Sequence, residues 1–114
     1  MINYHDKKFS VTSNTQTGET SSATIFHYHQ EGDIVWAKYK GGKIRLGMLI
    51  GLVNQEGQIS MRYQQVNNQN QLMTGICIST PELLQVGRIR LHEEWQWTSG
   101  DFSKGLSVVE EIEQ

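Results

Sequence analysis

Cysteine and proline each occur once in the 114 residues, and both scarcities narrow the reading. Cys77 has no partner for an internal disulfide and no second thiol for a metal knuckle, so nothing in the thiol content argues for an oxidising compartment. An excess of positive charge is also missing. Ten Lys and Arg stand against twelve Asp and Glu, a net charge of -2, which gives none of the field needed to track a phosphate backbone. Nucleic acid is therefore not an expected partner. No window approaches the roughly 18 apolar residues of a membrane span, and the opening "MINYHDKKFS" has no apolar h-region after its charges. The expectation is a cytoplasmic chain without membrane contact. Low-complexity tracts, linkers and domain boundaries are absent, and the length fits one domain with one core. Helical periodicity is nearly absent as well.

What is present is alternation. Apolar residues recur at every second position in runs rich in Val, Ile, Tyr, Trp and Thr, separated by short segments containing Gly or Asn. Eight strands are predicted: Lys8 to Thr15, Thr20 to Gln30, Asp33 to Lys40, Lys43 to Val53, Gln58 to Asn67, Gln71 to Thr80, Arg88 to Ser99 and Lys104 to Glu113. The turns read "QTGE", "EG", "GG", "NQEG", "NNQN", "PELLQVG" and "GDFS", mostly short enough to join antiparallel neighbours. Pro81 falls in the longest connection, where its missing N–H harms no ladder. That connection has room for one helical turn.

Directly paired residues share a face, so hairpin registers can be tried against the pattern. Two-residue turns at Glu31-Gly32, Gly41-Gly42, Glu56-Gly57 and Asn68-Gln69 pair Tyr28 with Val35, Tyr39 with Ile44, Leu52 with Met61 and Met61 with Ile76. Further registers align Ile76 with Leu91 and Trp95 with Val108, while Phe9 meets Phe26. One apolar face then runs through all eight strands without a parity break. Closure removes both raw edges, so the predicted fold is all-β: an eight-stranded antiparallel up-and-down barrel, filled by side chains or holding one small ligand. The opposite face carries Lys38, Lys40, Lys43, Arg45, Arg62, Gln64, Arg88, Arg90, His92, Glu94, Gln96 and Glu111, together with Gly47, Gly51, Gly75 and Cys77, small residues that can also mark the inside of a barrel. Exchange of the two faces is the competing arrangement.

"MRYQQVN", "LMTGICISTPELL" and "RLHEEWQWTSGD" together resemble a group of small bacterial proteins with an avidin-like or lipocalin-like barrel. The resemblance covers most of the chain and implies an architecture rather than an activity. Avidin proper opens with a Trp-containing strand and lipocalins with an early Gly-x-Trp, whereas residues 1 to 20 here contain no Trp. Proteins of this kind often carry the label N-acetylglutamate synthase. The acetyltransferase fold uses long helices and a pyrophosphate loop at a helix N-terminus, and this chain offers neither; an amino-acid kinase-like fold needs far more chain.

Within the barrel, the registers place Ile50, Tyr63, Thr74, Glu93 and Glu110 in one interior row, with Gln65 and Trp95 a layer away and Trp97 nearer an end. Buried carboxylates need partners or protons, so this polar belt implies either a wet mouth or a cavity. If enclosed, Glu93 and Glu110 share a proton and orient a polar or cationic group, with Trp95 and Trp97 as flat walls. The expected binding set is Tyr63, Gln65, Thr74, Glu93, Trp95, Trp97 and Glu110, for an unknown, partly apolar small molecule. No catalytic residues, cofactor or metal are assigned, because no nucleophile, oxyanion donors or phosphate loop complete a mechanism. An isomerase or hydrolase using the coupled carboxylates is the enzymatic alternative. The third reading is an interaction module, a homodimer included, meeting its partner through outward Trp36, Leu49 and Val109 or the basic hairpin "KYKGGKIR". His27 and His29 in "HYH" share a face at a spacing that suits a metal but equally a solvated pair.

Overall fold

The computed structural model describes residues 2–112. Eight strands, β1 (Lys7–Asn14), β2 (Ile25–Glu31), β3 (Ile34–Gly41), β4 (Ile44–Val53), β5 (Ile59–Asn67), β6 (Leu72–Leu83), β7 (Ile89–Trp97) and β8 (Lys104–Glu111), form a closed barrel in sequence order. Every neighbouring pair is antiparallel, and β1 closes the ring against β8 with Phe9 opposite Glu111 and Val11 opposite Val109. The eight-stranded, all-β antiparallel barrel read from the alternation is what the chain adopts. Glu113, the predicted end of the last strand, lies outside the described residues.

The pairing registers correct the predicted inner face. The inside of β1, β2, β3, β5 and β7 is as the alternation indicates: Phe9, Phe26, Tyr28, Ala37, Tyr39, Met61, Leu91, Trp95 and Trp97 are all buried. In β4 beyond its first residue, and in β6 and β8, the faces are reversed. Gly47, Leu49 and Gly51 of β4, Gly75, Cys77 and Ser79 of β6, and Ser107 and Val109 of β8 are buried, while Met48, Ile50, Leu52, Ile78 and Leu106 are exposed.

The causes are local. In β4 the ladder shifts register between Ile44 and Leu46, so Arg45 and Leu46 both point outward and the phase flips, as a β-bulge requires. Three-residue loops do the same between strands. Asn54 closes on Gln58 and Asn67 on Gln71 through N–H to O=C bonds of 3.0 and 3.1 Å. Each loop carries a left-handed residue just before that Gln, Gly57 at φ 83° and Asn70 at φ 61°, the usual three-residue hairpin with a turn followed by an αL position. "NQEGQ" and "NNQNQ" thus build the same loop, one residue longer than the two-residue turns expected. On the other side of the ring, β1 shifts register between Val11 and Ser13, which carries Asn14 onto the inner phase opposite Ser107. Glu111, expected outside, faces the inner phase at the barrel end, where its Oε1 accepts the Ile89 N–H at 3.1 Å.

Two further corrections concern connections. Residues 15–24 form a long loop rather than the first part of β2. Pro81 lies inside β6 opposite Leu91 of β7, beyond the point where β5 ends, so its missing N–H still costs no ladder bond. The expected helical turn is a short 3-10 turn, Gln85–Gly87.

The two ends of the barrel are sealed differently. At one end Tyr4 is fully buried, its backbone N–H donating to Gln30 Oε1 and its hydroxyl to the Gly57 carbonyl. Tyr4, Tyr28, Phe9, Phe26 and Tyr39 then form a continuous aromatic column, with Phe26 and Tyr39 stacked at 4.5 Å. At the other end, loop 15–24 crosses the mouth.

Candidate functional site

Beneath that loop is a cavity of about 50 Å³, lined on its walls by Phe26, Tyr39, Leu49, Met61, Tyr63, Gln65, Cys77, Glu93, Trp95, Trp97 and Ser107 and from above by Asn14, Gly18, Glu19 and Thr20. Three glycines make room for its aromatic walls. Gly47 pairs with Tyr39, Gly75 with Tyr63 and Gly105 with Trp95, and a Cβ at any of them would collide with the ring opposite. Each ring therefore lies across bare backbone on the neighbouring strand, which fixes its plane. Tyr63 meets Trp97 edge-on at 5.6 Å, and Trp97 meets Trp95 at the same distance.

Of the seven residues expected to bind a ligand, Tyr63, Gln65, Glu93, Trp95 and Trp97 line this cavity. Thr74 and Glu110 do not. The reversed phases of β6 and β8 turn them outward, where Thr74 Oγ1 meets Thr98 Oγ1 at 2.8 Å and Glu110 accepts from Arg90 Nε at 2.9 Å. Glu93 therefore faces Ser79 and Ser107 across the ladder instead of a second carboxylate. Its Oε2 accepts from Ser79 Oγ at 2.7 Å and its Oε1 from Ser107 Oγ at 3.0 Å. Burial pushes the Glu93 carboxyl above its ordinary range, and the two serine hydrogen bonds pull it partly back. The coupled carboxylate pair on which the enzymatic alternative rested is not formed.

Cys77 also belongs inside rather than on the outer face. The residue is 5 % exposed, and its thiol is pushed well above the ordinary thiol range by burial, then by the nearby Glu93; the phenols of Tyr39 and Tyr63 are raised for the same first reason. His27 and His29 sit on the outer surface with ring centroids 4.4 Å apart, His27 Nε2 lies 2.7 Å from Asp6 Oδ1, and His29 stacks on Trp36. Among the described residues no group of three or more His, Cys, Asp or Glu is placed to hold a metal ion.

Sequence reasoning missed the loop's share of the site. Trp95 Nε1 donates to Asn14 Oδ1 and Trp97 Nε1 to the Thr17 carbonyl, both at 3.2 Å. Glu19 reaches across the mouth to β5, accepting from Gln65 Nε2 at 2.8 Å and Asn67 Nδ2 at 2.7 Å. One signal was there to read: Met61, Tyr63, Gln65 and Asn67 alternate down a single strand face, turning from apolar to amide toward its end.

No helix among the described residues is long and apolar enough to cross a membrane. No curated protein and no solved structure matches the chain. A family model described as "Avidin-like protein" matches residues 2–112. With that match over nearly the whole chain and a closed eight-stranded barrel beneath it, the protein belongs to the avidin-like protein family.

Proposed function

We propose that the protein binds a small, partly apolar molecule at the loop-covered end of the barrel, with Trp95, Trp97 and Tyr63 as walls and Gln65 and Glu93 as polar anchors. The observation that carries this is the cavity itself: polar groups converge on an aromatic-walled space beneath the loop that covers the mouth, the usual make-up of a ligand site. As it stands, about 50 Å³ is room for a few waters at roughly 10–15 Å³ each, against the roughly 300–1,000 Å³ of ordinary ligand pockets. Binding anything larger therefore requires loop 15–24 to move. Native mass spectrometry against a panel of metabolites tests the reading. One species retained by the wild type and lost on Trp97→Ala supports it; the same retention by both proteins places the ligand elsewhere.

A second reading is favoured by a different observation. Outside the barrel, β3 and β4 pair Ile34 with Leu52 and Trp36 with Ile50, and Leu46 and Met48 extend the row. All six side chains are exposed, from 37 % for Trp36 to 59 % for Ile50 and Leu52. Together they present on the order of 600 Å² of apolar residue surface, at the top of the range for an ordinary monomer (about 300–600 Å²) and close to the ~800 Å² each partner contributes to a standard interface. A second copy of the chain, meeting this face with its own across a two-fold axis, covers it. Leu49 and Val109, expected to share in such a contact, point into the barrel. Sedimentation of wild type and Ile50→Lys distinguishes the cases: a dimer that the substitution dissociates supports self-association, and a wild-type monomer at high concentration removes it.

A further inference from the structure

Loop 15–24 covers the cavity by placing a carboxylate on two buried side-chain amides, and the geometry of those amides is set without it. Gln65 and Asn67 are each 3 % exposed. The Gln65 carbonyl oxygen accepts from Tyr39 Oη at 2.8 Å, so its NH2 is held toward the mouth. Asn67 is fixed in the same sense: its Oδ1 accepts the Gln69 and Gln71 backbone N–H groups, both at 3.0 Å, as part of the hairpin loop. Its Nδ2 has Gln71 Oε1 at 2.9 Å as a second acceptor. Two preset donors two residues apart on one strand face thus converge, and Glu19 answers them with one oxygen each. That is the bidentate arrangement by which a carboxylate is recognised.

Apart from the Trp97 Nε1 bond to the Thr17 carbonyl, the loop's other bonds are to its own side of the mouth. Thr15 bonds Leu106, Asn14 Nδ2 donates to Thr20, and Thr24 Oγ1 donates to the Gly41 carbonyl. Glu19 is what joins it to β5. If the loop swings away, Gln65 Nε2 exchanges the Glu19 carboxylate for water, and the opening now leads into the cavity below. An incoming molecule that supplies a carboxylate restores both bonds.

We infer that Gln65 and Asn67 form a carboxylate-binding subsite which the loop's own Glu19 fills in this structure, and that the ligand of the barrel is a short-chain carboxylate that displaces Glu19. This rests on the reading of the barrel as a small-molecule site. The carboxylate sits on the amide pair and the chain passes between Trp95, Trp97 and Met61 toward Glu93. Glu19 is then an internal competitor, and apparent affinity is reduced by the fraction of molecules in which it is seated.

The test compares pentanoate with pentanamide, which has nearly the same shape and no charge, by tryptophan fluorescence and by the NMR indole N–H signals. Glu19→Ala is expected to bind pentanoate about tenfold more tightly than wild type, as removal of a seated competitor requires, with no such gain for pentanamide. Indole N–H exchange at Trp97, slowed by the loop in the wild type, should speed up in the same variant. Glu19→Gln opposes one donor with another at the same volume, and gives the same gain should the alanine variant fail to fold. Adding Gln65→Leu should abolish it. Equal pentanoate affinity in wild type and both Glu19 variants, or a gain shared by pentanamide, overturns the carboxylate subsite. The broader ligand reading falls on a different result, the Trp97→Ala comparison across the metabolite panel.

Discussion

Glu93 shows what a single residue contributes here. It sits among Tyr28, Tyr39 and Cys77, with two serine hydroxyls as its hydrogen-bond partners and burial as the main influence on its charge. Its carboxyl therefore titrates above the 4.5 of the unfolded chain, chiefly because burial disfavours the charged form. Between that value and the raised one, the folded protein holds a proton that the unfolded chain has released. Stability is then fully present below about pH 4.5 and is lost as pH rises through the folded value. Glu93→Gln keeps the shape and removes the titration. Thermal melts of the two proteins from pH 4 to 8 should show the variant gaining on the wild type as pH increases; parallel curves would mean that Glu93 is solvated like a surface acid. Such a site suits a neutral or hydrogen-bond-donating group at the inner end of a ligand better than it suits paired-carboxylate chemistry.

At the scale of elements, the hairpin loops decide which side chains enter the site. Asn54 shows the device in isolation, away from the cavity: its Oδ1 accepts the backbone N–H groups of Glu56 and Gln58, both at 3.0 Å. Asn54→Ala should cost about 1–2 kcal/mol in denaturant melts, the net worth of two such bonds. A loss below about 0.5 kcal/mol, typical of an ordinary surface change, would contradict the role given to the loop. Strand existence and order were legible, because alternation over seven to twelve residues reports a half-buried strand whatever its exact pairing. Phase was not. A bulge at Arg45-Leu46 and three-residue loops at 55–57 and 68–70 each move parity by one, which reverses β4, restores β5 and reverses β6; the actual pairings of Ile76 with Gln96 and of Trp95 with Gly105, in place of Leu91 and Val108, move it twice more, restoring β7 and reversing β8. This is why Trp95 and Glu93 were placed correctly from sequence while Thr74 and Glu110 were not. The glycines and Cys77 of the expected outer face were the available clue, since small residues opposite Tyr39, Tyr63 and Trp95 are what a crowded interior demands. Glu19 left no comparable trace, because its partners lie 46 and 48 residues away.

As a whole molecule, the barrel is closed around its circumference, sealed by Tyr4 at one end and covered by loop 15–24 at the other. On the proposed reading that asymmetry gives a ligand one way in, and the chain's three tryptophans stand where they can report it: Trp95 and Trp97 at the covered mouth, Trp36 on the outer wall. The central claim is that the covered end is where a small molecule binds. Two-dimensional NMR of the three indole N–H signals during ligand titration tests it most directly. Joint movement of the Trp95 and Trp97 signals with Trp36 unmoved is the predicted result; movement confined to Trp36 would locate binding on the outer face and contradict the account.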